Sequence, residues 1–170
     1  MSGIGVMLID MQSGFLKDFS ELGVWSLVYE QSRVLNWAGA RDVPVVCAEY
    51  LNEGDTHPSL RNKLRGVPRV LRITKEDDDI FTATGLVSWL DERNVADLFF
   101  MGVNAHACVL DSARTAYNRG YAISTAESVI GRKEGLDRHT LGEYQRLGRA
   151  YKRTGEFFRE KDKILSPALS

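Results

Sequence analysis

Short, uninterrupted apolar runs alternate with segments of helical period along this chain, and that alternation limits the folds open to it. Residues 4–9 form a continuous apolar run that ends at Asp10. Residues 44–48, 70–73, 97–103 and 121–126 read as further strands. Between them, residues 20–40 place Leu22, Trp25, Val28, Tyr29 and Leu35 at helical spacing, and residues 82–93 place Leu86, Trp89 and Leu90 on one face. Residues 107–119 read as a helix that runs into Gly120, a left-handed stop. Residues 136–151 also read as a helix, and the last twenty residues have no clear pattern. Strands that are apolar on both sides belong to a parallel sheet covered by helices on both faces. The predicted class is therefore α/β, one domain over residues 1–170, with right-handed crossovers. In such sheets the chemistry lies beyond the carboxyl ends of the strands. That rule selects Asp10, Lys75 and the segment 102–108.

Composition sets outer limits. The 170 residues are 44% hydrophobic and 26% charged, a globular balance at a length that buries a core. A formal net charge of −1 gives no sign of nucleic-acid binding. The longest apolar runs fall far short of the roughly 20 residues that span a bilayer, so no membrane partner is expected. The run at residues 4–9 has no basic segment before it and no small-residue cleavage site after it, so it reads as a strand and not as a secretory signal. Residues 131–163 hold ten Lys/Arg against six Asp/Glu. A solvated helical face is the first reading, and an anionic substrate or partner the second. Two cysteines, Cys47 and Cys108, form no CxxC pair. Free thiols in a reducing, cytoplasmic setting are expected.

Cys108 follows an apolar strand and opens a helix. The free N–H groups and partial positive charge there favour a thiolate, which lowers the thiol pKa and makes a nucleophile. The same N–H groups are suited to an oxyanion. A small buried residue in a strand-to-helix turn is the plainer alternative. Asp10, directly after a buried strand, suits a proton acceptor, or else a turn cap. Lys75 suits a charge partner for both, or else a surface lysine paired with Glu76, Asp77, Asp78 and Asp79. The Asp77–Asp79 run itself reads as a solvated cap ahead of Thr82. Together the three residues place an acid, a base and a thiol on one predicted sheet edge, as nucleophilic hydrolysis requires.

Three motifs then resemble one family in order. VMLIDMQSGF (residues 6–15), ITKEDDDIFTATGL (residues 73–86) and LFFMGVNAHACVLDSARTAYNRGYAI (residues 98–123) resemble the strand-Asp, Lys and nucleophile segments of isochorismatase-like hydrolases. The resemblance implies a three-layer α/β/α fold around a mostly parallel six-stranded sheet. It implies that Asp10 takes the Cys108 proton, that Lys75 steadies the charges, and that Cys108 attacks a carbonyl to give a covalent intermediate. It also implies a cis peptide at Val103–Asn104, with the N–H groups of Asn104 and Cys108 holding the oxyanion. Val103, Asn104, Phe15 and Gln12 are the expected oxyanion or substrate contacts. A homodimer or homotetramer is expected by the same route.

The departures bear on specificity. Nicotinamidases of the family carry a metal on Asp-x-His and further histidines. Asp55 and His57 match the first part, but Arg61 and Lys63 occupy the nearby positions. Two ligands make a poor site, so no metal and no cofactor are expected. The usual Asn-Asp after Met-Gln is replaced by Ser13-Gly14. His106 precedes Cys108 by two, a spacing that puts the side chains on opposite sides of a helix. Cys47, Trp25, Trp37 and Trp89 read as core, and His139 as solvent-facing. A Rossmann nucleotide binder needs a Gly-rich first turn that is absent here. A receiver domain needs more acids at the first strand. The expected function is cysteine-dependent hydrolysis of a small-molecule amide or carbamoyl C–N bond. A vinyl-ether hydrolase or an inactive scaffold of the same fold are the alternatives. The loop 50–68, with Arg61, Lys63 and Arg65, is expected to cover the site.

Overall fold

A computed structural model describes residues 3–165. Its centre is β1 (Gly3–Ile9), buried along almost its whole length. The chain continues through the short α1 (Ser13–Leu16), the long α2 (Glu21–Ala40), β2 (Val45–Tyr50), α3 (Pro58–Leu64) and β3 (Val70–Lys75). After a 3-10 turn at Ile80–Thr82 come α4 (Leu86–Asp91), β4 (Val95–Val103), α5 (Cys108–Asn118), β5 (Ala122–Gly131), α6 (Arg138–Leu147), β6 (Arg149–Tyr151) and α7 (Thr154–Leu165). The six strands form one sheet in the order β3-β2-β1-β4-β5-β6, and every pairing is parallel. The expected mostly parallel sheet is thus parallel throughout.

Helices cover both faces. α2 packs on α3, α7 and β5, while α5 packs on α6, the 3-10 turn, β4 and β5. This is why β1 and β4 show no alternation of polar and apolar residues. Phe99 and Phe100 of β4 point to opposite faces and are both fully buried. Phe99 stacks on Phe157 of α7, which in turn meets Trp37 of α2 edge to face. Among the described residues no helix is long and apolar enough to cross a membrane.

The local readings fail in three places. The helix expected over residues 82–93 begins only at Leu86, after Gly85 takes φ = +86°. Asp79 caps the 3-10 turn before it by accepting the Phe81 N–H at 2.9 Å. The helix expected over residues 136–151 stops at Leu147, and Arg149–Tyr151 pairs with β5 as the sixth strand. Gly148 is extended at that break and lies so close to β5 that a Cβ there would fall on the Ile123 carbonyl. The third difference is the buried stripe of α2, which is Leu27, Val28, Gln31, Val34, Leu35, Trp37 and Ala38. Trp25, read as core, is 64% exposed, and Leu22 and Tyr29 of the same helix are 75% and 52% exposed.

Candidate active site

From β1 the sheet continues one way through β2 and β3 and the other way through β4 and β5. The strand order reverses between β1 and β4, and in open parallel sheets it is beyond the carboxyl ends at such a point that ligands bind. Asp10 ends β1, and Cys108 opens α5 just after β4. Lys75 ends β3, two strands away from β1, and its side chain crosses the end of β2 to reach the same point. Lys75 Nζ donates to Asp10 Oδ2 at 2.9 Å, with neither side chain exposed. It passes over Tyr50, its register neighbour on β2, with the ammonium 4.5 Å from the ring centroid. Lys75 Nζ also donates to the carbonyls of Asp77 (3.1 Å) and Asp78 (3.5 Å). These bonds occupy all three ammonium hydrogens.

The backbone at both turns is unusual. Asp10 and Asn104 adopt φ = +57° and +61°, a left-handed region that Asp and Asn tolerate better than most residues. The Val103–Asn104 peptide bond, expected cis, is trans, and the left-handed Asn104 makes the turn instead. Val103 is fully buried at the end of β4. The Asn104 carbonyl accepts the Ala107 N–H at 2.9 Å, which tightens the turn into Cys108. Tyr144 of α6 clamps the same turn by donating its hydroxyl to the Ala105 carbonyl at 2.6 Å.

Cys108 is 4% exposed and donates its thiol to Asp78 Oδ1 at 3.3 Å. The second Asp10 oxygen, Oδ1, is buried without a hydrogen-bond partner. Burial pushes the Asp10 carboxyl above the usual carboxylate range, against the pull of Lys75. Burial also raises the Cys108 thiol, and the Asp10 charge raises it further. The helix N-terminus alone predicted a lowered thiol pKa. Desolvation and two neighbouring carboxylates outweigh it.

The remaining expected residues are placed as follows. Phe15 of α1 is half-buried and meets Tyr50 edge to face, with centroids 6.0 Å apart. Gln12 is fully buried, and its amide is spent on backbone. It donates to the carbonyls of Tyr50 (2.9 Å) and Gly54 (2.6 Å) and accepts the Tyr50 N–H at 2.6 Å. Gln12 thereby locks the loop after β2 against the end of β1. Asp55 is paired with Arg61 at 2.9 Å, and His57 Nδ1 accepts the Ser59 N–H at 3.3 Å as the cap of α3. Among the described residues no three His, Cys, Asp or Glu side chains gather as metal ligands, and Asp55 with His57 does not suit one. His106 and His139 are exposed. Cys47 is buried on β2 beside Thr56. Four of the ten basic residues in the C-terminal stretch are charge-paired among the described residues. Arg132 meets Asp137 and Glu134, Arg146 meets Glu143, Arg149 meets Glu160, and Lys161 meets Asp97.

Sequence reasoning missed three contributors. Tyr50 ends a strand on the site edge, so the strand-end rule could have found it. Asp78 looked like one of four interchangeable acids. Ser112, one helical turn after Cys108, donates to the Cys108 carbonyl at 2.7 Å and accepts the Ile80 N–H at 3.1 Å. It ties the 77–80 segment to α5, which no local pattern reveals. A separate apolar groove of about 830 Å³ runs along α2, lined by Leu16, Phe19, Trp25, Val28 and Tyr29; Asp10, Lys75 and Cys108 do not line it.

Residues 5–140 match the Isochorismatase domain. The ureidoacrylate amidohydrolase RutB of Rhizobium rhizogenes is 29% identical over 118 residues, covering 69% of this chain and 47% of that protein. The chain spans about half the length of the curated relatives it matches. Among solved structures, the MAR1 ribonuclease of Caenorhabditis elegans superposes with a TM-score of 0.79 at 17% identity, over 99% of this chain and 93% of that one. The nicotinamidase of Staphylococcus aureus superposes with a TM-score of 0.77 at 20% identity, over 90% of this chain and 99% of that one. At such identities the structures speak for the fold alone. With the domain match covering most of its length, the chain belongs to the isochorismatase family.

Proposed function

We propose that this protein is a cysteine-dependent hydrolase of small-molecule amide or carbamoyl C–N bonds. The observation that carries the reading is the buried Asp10–Lys75 pair set beside Cys108, with one Asp10 oxygen left without a partner. In this reading the Sγ–H bond of Cys108 breaks and its proton passes to Asp10. The sulfur electron pair attacks the substrate carbonyl carbon. Lys75 holds Asp10 in place and offsets the negative charge that develops. The N–H groups of Asn104 and Cys108 are assigned to the oxyanion. The tetrahedral intermediate collapses, and the departing amine or ammonia takes the proton from Asp10. Water, deprotonated by Asp10, then cleaves the thioester, and Cys108 recovers its proton. The raised Asp10 carboxyl suits this double duty, because a base that is too weak could not take a thiol proton. An amidohydrolase among the relatives supports the choice of an amide over a vinyl ether.

Two free cysteines support a reducing compartment. Self-assembly belongs to the same reading, since exposed Leu22, Trp25 and Tyr29 on α2 form an apolar face suited to a second copy. Sedimentation of wild type against Trp25→Ala tests that part.

The main test is ammonia release from a panel of primary carboxamides and ureido compounds, with intact mass after acid quench. Turnover that disappears in Cys108→Ala, with an acyl adduct on the wild-type chain, upholds the reading. Turnover that survives Cys108→Ala overturns it.

A further inference from the structure

We propose that Asp78 is the specificity-determining residue of this site, selecting amides that carry a cationic group beside the scissile carbonyl. The inference rests on Cys108 being the nucleophile. The Asp78 carboxylate is in hydrogen-bond contact with the Cys108 thiol at 3.3 Å. Its position is built, since the Asp78 carbonyl accepts Lys75 Nζ at 3.5 Å and lies 3.4 Å from Ser112 Oγ, whose hydrogen goes to the Cys108 carbonyl. The next residue, Asp79, differs, because its carboxylate is spent on the Phe81 N–H and the Thr115 hydroxyl. Glu76, Asp77 and Asp78 are all exposed, and among the described residues none of them has a salt-bridge partner. Lys75, whose ammonium meets the Asp78 carbonyl, is already committed to Asp10 and two carbonyls.

A carboxylate touching a thiol opposes formation of the thiolate. Asp10 does so too, but it is buried, paired with Lys75, and keeps one oxygen without a partner. Asp78 has no such compensation within the protein. A positive charge can come from what binds there. A substrate ammonium or guanidinium against Asp78 removes the opposing field at the moment the substrate carbonyl reaches Cys108. A neutral or anionic amide leaves that field in place. Recognition and activation are thereby coupled through one side chain, and the discrimination falls in kcat/KM.

The test uses thiol reagents that differ only in charge, so it does not depend on knowing the substrate. In a Cys47→Ala background, Cys108 is treated with trimethylammonioethyl, sulfonatoethyl and methyl methanethiosulfonates. Each rate is normalised to that of a free small thiol and read by intact mass. The cationic reagent is expected to outpace the anionic one by about tenfold at low salt, shrinking in concentrated salt. Asp78→Asn, checked for an unchanged circular dichroism spectrum, should bring the ratio close to one, and Asp78→Glu should restore part of it. A ratio near one in the parent, or one unchanged in Asp78→Asn, overturns the inference while leaving Cys108 as nucleophile. A Cys108 that reacts with none of the three reagents overturns both readings. Once turnover is measured, glycinamide should be preferred to propionamide, and Asp78→Asn should erase that preference.

Discussion

Lys75 Nζ lies 2.9 Å from Asp10 Oδ2, and neither side chain has any exposed surface. A buried pair of this kind contributes little net stability over an apolar replacement, yet either partner left alone is costly. Asp10→Asn leaves a buried ammonium, and Lys75→Met leaves a buried carboxylate. Each single change should cost about 3 kcal/mol in urea unfolding. The double variant should cost clearly less than the sum. Asn is the right partner for Asp10, because it tolerates the left-handed φ of +57° that Ala would strain. Strict additivity would mean the two charges do not interact.

Cys108 supplies a pH prediction. Burial and the Asp10 charge both raise its thiol pKa. Its thiolate should be scarce at neutral pH, and alkylation by iodoacetamide should climb only above the ordinary thiol range of about 8.5. Removing a neighbouring negative charge favours the thiolate, so Asp10→Asn should speed alkylation at a fixed mildly alkaline pH by about tenfold, one unit of pKa. The same variant should lose amide turnover by about a hundredfold or more, because the proton acceptor is gone. Alkylation and turnover moving in opposite directions distinguish a base from a merely structural acid. A Cys108 that alkylates rapidly below neutral pH would contradict the geometry.

How much of this was legible in the sequence depends on whether the relevant physics is local. β1, β4 and the polar residues that end them can be read directly, because a buried strand writes a continuous apolar run and its end is marked by a polar residue. Asp10, Lys75 and Cys108 could therefore be named from strand ends. The contact between Asp78 and Cys108 spans 30 residues, and the bonds of Gln12 span 38 and 42. No local period encodes them. The three residues of β6 are too few for a pattern, and their pairing with β5 decides their state. On α2 the period is helical for several overlapping stripes. Packing against α3, α7 and β5 chose the one through Leu27, Gln31, Val34 and Ala38, leaving Trp25 and Tyr29 stacked together in solvent.

Two glycines should respond in opposite directions to alanine. Gly102 sits at φ = +152° beside its register partner Ile9, and a Cβ there would fall on the Ile9 carbonyl oxygen. The change would force β1 and β4 apart just below the site. Gly102→Ala should destabilise by about 3 kcal/mol and lose activity with the fold. Gly142 lies inside α6 with open space around it. Gly142→Ala should stabilise by about 0.5–1 kcal/mol, through a less flexible unfolded chain and better helix propensity. Thermal melts of the two variants check both signs.

Tyr144 separates support of the site from support of the fold. Its ring is buried in α6, and its hydroxyl donates to the Ala105 carbonyl at 2.6 Å. Tyr144→Phe keeps the ring and orphans that carbonyl, at a cost of about 1–3 kcal/mol. The loosened segment is the turn that carries Asn104 and delivers Cys108 to Asp78. Trp37 offers a control on the other face, where its indole N–H donates to Asp162 at 2.8 Å. Trp37→Phe also loses one hydrogen bond of a buried aromatic, but it leaves the 104–108 turn untouched. If the Tyr144 bond positions the nucleophile, Tyr144→Phe should lower kcat at temperatures well below its melting point, with KM little changed. Trp37→Phe should lower the melting temperature without that fall in kcat. Equal kcat for the two variants when fully folded would mean that the hydroxyl only stabilises α6, and that the turn holds Cys108 without it.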